Sequence, residues 1–337
     1  MKEKKGFGGF WKKLSGSREL SLVAVLVLLC AVIQLRNNTF LTAKTIADLL
    51  KNYSTTITIS LGMMSVLLIG GIDISVGATL AFSGMCASLM MRDGVYSSTL
   101  VMFLVSIAIG TLCGMLVGLI IAKGGVQPII ATLGMCNIYR GATYIVSNSA
   151  WVSAYQFQSS FKEFAQTNTL TGGLVNNLVF ITLVCYIVFF VVMKWTTFGR
   201  RIYAVGSNPE AAAVSGIRIS RIRFFVYTIA GAFAGLTGAM YTALYASAMS
   251  DMGAGMEMDA IASCVLGGVS LNGGQGSVAG VLLGSLTMAV ICKALPLIGI
   301  SQFWKDAIKG AIILVAIIVN VIVRRAMDRN TLKVREI

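Results

Sequence analysis

Five uncharged stretches constrain this chain most. Residues 52–72, 94–122, 164–193, 224–250 and 260–292 contain no Asp, Glu, Lys or Arg. Each reaches the roughly 20 residues that a bilayer-crossing helix needs, and a soluble core cannot absorb so many. Composition agrees: 56% of residues are hydrophobic and 12% are charged, against about 25% charged in an ordinary soluble domain. The expectation is an all-α, polytopic membrane bundle.

Ten spans are predicted, near 19–36, 53–70, 72–91, 97–122, 126–147, 174–193, 224–247, 257–271, 277–296 and 305–323. The eighth is short, and a broken or re-entrant segment is tolerated only inside a protein bundle. With the N-terminus inside, the tail 1–18, the loop 194–223 and the tail 324–337 become cytoplasmic. They hold most of the 27 Lys and Arg, as expected where basic loops stay inside. Both termini are therefore expected in the cytoplasm, flanking one transmembrane domain over 19–323. The net charge of +14 then reflects membrane orientation and lipid contact rather than nucleic-acid binding. No small-residue cleavage site follows the first apolar run, so that run is expected to be retained as a span.

Missing residue types exclude several chemistries. The chain has no histidine, which removes His-based triads, bases and metal sites. No Gly-Lys pair occurs, so no P-loop exists. Nucleotide energy, if used, must come through another subunit. Glu257 and Asp259 stand two apart and would face apart on a helix. The seven cysteines are dispersed through apolar stretches without a CxxC pair, as expected of small buried hydrophobes. No catalytic residue, metal site or cofactor is expected.

The loop 194–223 reads KWTTFGRRIYAVGSNPEAAAVSGIRISRIR. Ser207 and Asn208 precede Pro209 and Glu210, a helix start with Pro at the first position. Ala211, Ala212, Ala213 and Val214 favour helix, and Ser215-Gly216 supplies a stop. A helix of about two turns is predicted over 208–215. It is too short to stand alone. Its apolar face, Ala211, Ala212 and Val214, fits a partner's groove or the bundle's own underside.

A second motif, GGIDISVG (70–77), places Asp73 between two apolar runs, with Ser75 beside it. Three roles are open. The acid caps the following helix and fixes a tight turn between the two helices, lines a substrate path or ATPase contact, or relays protons. Segment 67–84 also echoes 264–285, a pattern of Gly-interrupted helices found in transporters. Gln127, Asn137 and Arg140 are polar at span depth. Asn137 and Arg140 share a helix face and either line the passage or bond between helices. The spacing of Gly110, Gly114 and Gly118, and of Gly231 and Gly235, predicts close helix packing. The outer loop, about 148–173, is polar and aromatic. It is expected to lie on the outer membrane surface or to dock a soluble partner.

Three motifs, FGRRIYAVGSNPEAAAVSGIRISRIR, GGIDISVGA and LGGVSLNGGQGSVAGVLLG, together resemble those of permease subunits of ribose-type ABC sugar importers. The likeness runs from about residue 50 to 323. It implies a non-catalytic bundle of about ten spans in a bacterial plasma membrane. It also implies a second permease subunit, identical or related, an ATP-binding subunit and an extracytoplasmic sugar-binding protein. The transported solute would be ribose or another monosaccharide. Ser207, Asn208, Pro209, Glu210, Ala211, Ala212, Ser215 and Gly216 would engage the ATP-binding subunit. An ion- or proton-coupled carrier using Asp73, Glu257 and Asp259 is the alternative.

Overall fold

The computed structural model describes residues 18–173, 175–297, 299, 301, 303–315 and 318. The expected tails lie outside these residues, as does most of the last stretch of the predicted tenth span. The elements are helices α1 (Arg18–Arg36), α2 (Ala43–Leu68), α3 (Val76–Arg92), α4 (Thr99–Ala122), α5 (Pro128–Ser147), α6 (Ser159–Phe164), α7 (Asn177–Trp195), α8 (Thr197–Ser207), α9 (Pro209–Val214), α10 (Ile219–Tyr245), α11 (Met256–Leu266) and α12 (Val278–Leu297). Residues 304–315 are also helical. No strand occurs among the described residues; one isolated antiparallel bridge joins Val152 to Ala248.

Five helices among the described residues are long and apolar enough to cross a membrane: α1, α4, α7, α10 and α12. Their outer faces carry Leu100, Leu104, Leu112, Leu116, Leu183, Ile187 and Val188, all exposed. Such a belt is untenable in water and fits lipid. The chain is a multi-pass membrane protein.

Boundaries shift from the sequence expectations for local reasons. Thr42 accepts a bond from Thr45 N at 3.3 Å, so α2 starts at Ala43, ten residues before the expected span. Lys51 Nζ donates to Gln166 Oε1 at 2.8 Å, tying the projecting turns to the outer loop. α11 has 11 residues, about 16 Å at 1.5 Å per residue, and cannot cross a core of roughly 30 Å. It is surrounded by protein, with Ala260, Ala262, Ser263 and Cys264 fully buried.

The glycine spacing delivers close packing. A Cβ on Gly110 would lie 2.5 Å from Gly231 O and from Gly235 Cα. α4 and α10 therefore touch backbone to backbone, and Ser106 Oγ donates to Gly235 O at 2.7 Å. Other polar side chains bond across helices. Thr58 pairs with Thr182 at 2.9 Å, and Tyr186 OH donates to Ile57 O at 3.1 Å. In lipid such groups have no water to fall back on.

The aromatics of the loop 148–173 divide. Phe157 and Phe161 are buried, with Phe161 edge-on to Phe103 at 6.4 Å. Trp151 and Tyr155 stay exposed. The phenylalanines thus pin the loop to the protein and do not anchor it in lipid.

Candidate functional site

The three sequence motifs, far apart in the chain, meet at one end of the bundle. Gly274 N donates to Leu68 O at 2.8 Å, joining the α11–α12 loop to the end of α2. Tyr203 OH, on α8, donates to Gly276 O at 2.9 Å. Burial raises the Tyr203 pKa, so its hydroxyl stays a donor. Gly206 closes the third side. A Cβ there would strike Leu68 O and lie 2.6 Å from Gly274 N. Gly273 and Gly274 sit at φ +87° and +73°, a backbone that L side chains rarely adopt. Their turn presents bare main chain to Leu68, Gly206 and Ser207. The two echoed segments, 67–84 and 264–285, therefore abut, and the loop 194–223 wedges against both.

α8 was not expected from the sequence. Thr196 caps it, accepting from Gly199 N at 3.2 Å, and Gly199, Ile202 and Val205 form its buried face. That i, i+3, i+6 spacing beside exposed Arg200 and Arg201 is legible in the sequence as an amphipathic helix.

α9 forms where expected. Asn208 Oδ1 accepts from Ala211 N at 3.0 Å, and Pro209 takes the first position. Ser215 Oγ donates to Ala211 O at 2.9 Å. Gly216, at φ +79°, ends the helix, with Ile217 N donating to Ala212 O at 3.0 Å. One detail differs from the expected apolar face. Ala212 is buried against the bundle while Ala211 points outward. Ser207, Asn208, Pro209 and Glu210 are exposed, and Val214 is 90% exposed. Arg200, Arg201, Arg218 and Arg221, in the flanking segments, are exposed as well.

Asp73 does not cap α3. Ser75 occupies the N-cap without a side-chain cap bond. Asp73 Oδ1 instead accepts from Ser75 N at 2.9 Å and Ser75 Oγ at 2.6 Å. The acid therefore fixes the turn ahead of the helix. Gly71 gives room there: a Cβ on it would meet the Tyr227 hydroxyl, which is buried without a hydrogen-bond partner.

Asn137 and Arg140 join neither Asp73 nor each other. Asn137 is exposed and donates to Leu133 O of its own helix at 3.0 Å. Arg140 Nη1 donates to Ser250 O at 2.9 Å and Met252 O at 2.8 Å, stapling α5 to the segment after α10. Glu257 and Asp259 do face apart. The Glu257 carboxylate occupies the space beside Gly77, while Asp259 pairs with Lys309 and, at 3.5 Å, with Lys305.

A family model described as branched-chain amino acid transport system / permease component matches residues 45–317. Ribose import permease protein RbsC of Escherichia coli K12 is 35% identical over 307 residues, 89% of this chain and 92% of that protein. RbsC of Bacillus subtilis 168 is 35% identical over 295 residues, 88% and 90% respectively. Galactose/methyl galactoside import permease protein MglC of Escherichia coli K12 is 33% identical over 312 residues, 89% and 93%. No solved structure matches.

Proposed function

The chain belongs to the branched-chain amino acid transport system / permease component family, and from that premise we propose that it is the membrane subunit of an ATP-driven sugar importer. The observation that carries this is the junction. A short helix, α9, exposed on its far side, continues directly from α8, whose Gly206 meets the main chain of α2 and of the α11–α12 loop. Similarity to ribose and galactose import permeases supports a monosaccharide as cargo.

In this reading the chain itself hydrolyses nothing. An ATP-binding subunit takes α9 in a cleft, with Val214, Ala211 and Glu210 at the contact. Movement of that subunit displaces α9 and α8 together, because Asn208 joins them without a loop. The Gly206, Leu68 and Gly274 backbones are too close for the motion to be lost in side chains. It passes to α2 and to the α11–α12 loop, and the bundle rocks between two access states. A second permease subunit completes the membrane part, and a sugar-binding protein docks on the outer loop. The transmembrane domain, 19–323, lies in a bacterial plasma membrane with tails 1–18 and 324–337 in the cytoplasm.

Two variants test the coupling role. Deletion of 209–213 abolishes both retention of the ATP-binding subunit and sugar uptake, with the chain still in the membrane. Val214→Asp shifts stability by less than about 0.5 kcal/mol, as exposed sites do, yet cuts retention at least tenfold. Uptake that survives the deletion but stops when the proton gradient collapses makes the ion-coupled carrier correct instead.

A further inference from the structure

An open cavity of about 1410 Å³ lies among the end of α10, the start of α2, segment 249–259, the end of α12 and residues 303–313. Asp73, Ser75, Asn137 and Arg140 do not line it. We propose that it is a weak binding site for a neutral polyhydroxylated solute, contacted by Asn52, Tyr53, Tyr241 and Tyr245. The proposal rests on the importer reading and names the side chains that its cargo meets.

Size is the first argument. Small-molecule pockets run to about 300–1,000 Å³, so a monosaccharide enters this one with part of its water. Charge is the second. Asp251, Asp259 and Asp306 face Lys293, Lys305 and Lys309 in the lining, three of each sign. Asp259 and Asp306 are further tied to lysines within the wall, Asp306 to Lys309 at 3.0 Å. The lining thus offers polar atoms with no net formal charge, which favours neither an anion nor a cation.

Lining chemistry is the third argument. Tyr241 and Tyr245 stand one turn apart on α10, with ring centroids 4.5 Å apart and planes 47° from parallel. They make a nearly continuous aromatic wall, apolar on its faces and hydroxylated at its rim. Tyr245 is 53% exposed and Asn52 is also exposed, so ring and amide are open to the cavity. An aromatic platform with a nearby amide matches a sugar's alternation of C–H faces and hydroxyls. Transport also needs a site that releases what it admits, and an open cavity holds its solute loosely.

The test uses the complete importer in vesicles. Asn52→Cys, in the full chain, is labelled by a polar maleimide over the background of the parent. The expected result is that D-ribose or D-galactose slows labelling at least threefold, while the anion D-gluconate has no effect. Tyr245→Ala cuts the maximal uptake rate about tenfold at normal membrane abundance, and Leu183→Ala, on the lipid-facing side of α7, leaves it unchanged. Sugar-independent labelling at position 52 while the parent imports sugar overturns the proposal and leaves the importer reading standing. Full-rate import by Tyr245→Ala does the same. A parent importer that moves neither sugar overturns both.

Discussion

Gly206→Ala puts the junction to its sharpest test. The new methyl would strike the Leu68 carbonyl and lie 2.6 Å from Gly274 N, where non-bonded heavy atoms prefer about 3.5–4.0 Å. Both neighbours are main chain, so no rotamer change relieves the clash. Either α8 withdraws by an ångström or more, or the 2.8 Å bond from Gly274 N to Leu68 O breaks. Either outcome costs about 1–3 kcal/mol, as overpacking or as a stranded amide, and lowers the folding equilibrium by a factor of roughly 5 to 160. Unfolding of the purified chain in detergent measures that loss, and sugar import per ATP hydrolysed measures the broken transmission. Gly141→Ala is the control, because a Cβ there meets nothing within 4 Å. On a helix that change stabilises by up to about 1 kcal/mol. A Gly206→Ala chain that unfolds and imports like its parent refutes the claim that backbone contact transmits the motion.

Two further changes separate structural from chemical roles. Arg140→Ala removes both bonds to Ser250 and Met252, each about 1.5–3 kcal/mol for a charged donor; amide exchange over 246–255 should rise, and unchanged exchange there would discard the staple. Asp73→Asn keeps an oxygen to accept from Ser75, so import falls but persists, whereas Asp73→Ala loses the turn. Complete loss in the Asn variant at normal abundance would assign a role to the charge itself.

Much of this was legible in the sequence because it depends on local signals. Asn208-Pro209 and Gly216 fix the ends of α9 through one cap, one φ constraint and one left-handed stop. The glycines of α4 and α10 announce close packing by spacing alone. The long-range part was not legible. That Gly206, Leu68 and Gly274 share one point depends on three segments 138 and 68 residues apart along the chain, and nothing in any one motif encodes the others' positions. Asp73 stands two residues before the N-cap Ser75, where an acid serves either a cap or a turn, and Ser75 decides between them. The cavity was invisible for a related reason. Asn52, Tyr241 and Lys305 lie in different segments and are unremarkable in each.

The charged groups also bear on the energy source. A carrier driven by ions needs an acid that gives up one partner and takes another during each cycle. Asp73 has its Oδ1 committed to two bonds from Ser75 in a turn that the chain cannot rearrange without moving the start of α3. Asp259 is buried between Lys305 and Lys309, and removing a partner from a buried ion pair costs about 3–5 kcal/mol. Neither arrangement is built to exchange. α9 is the opposite case. It is held by a single cap and one buried alanine, its far side is bare, and its root is clamped to the bundle through main chain. Force enters a membrane protein most efficiently where the handle is loose and the mounting is rigid, and in the proposed importer that place is the helix following Asn208.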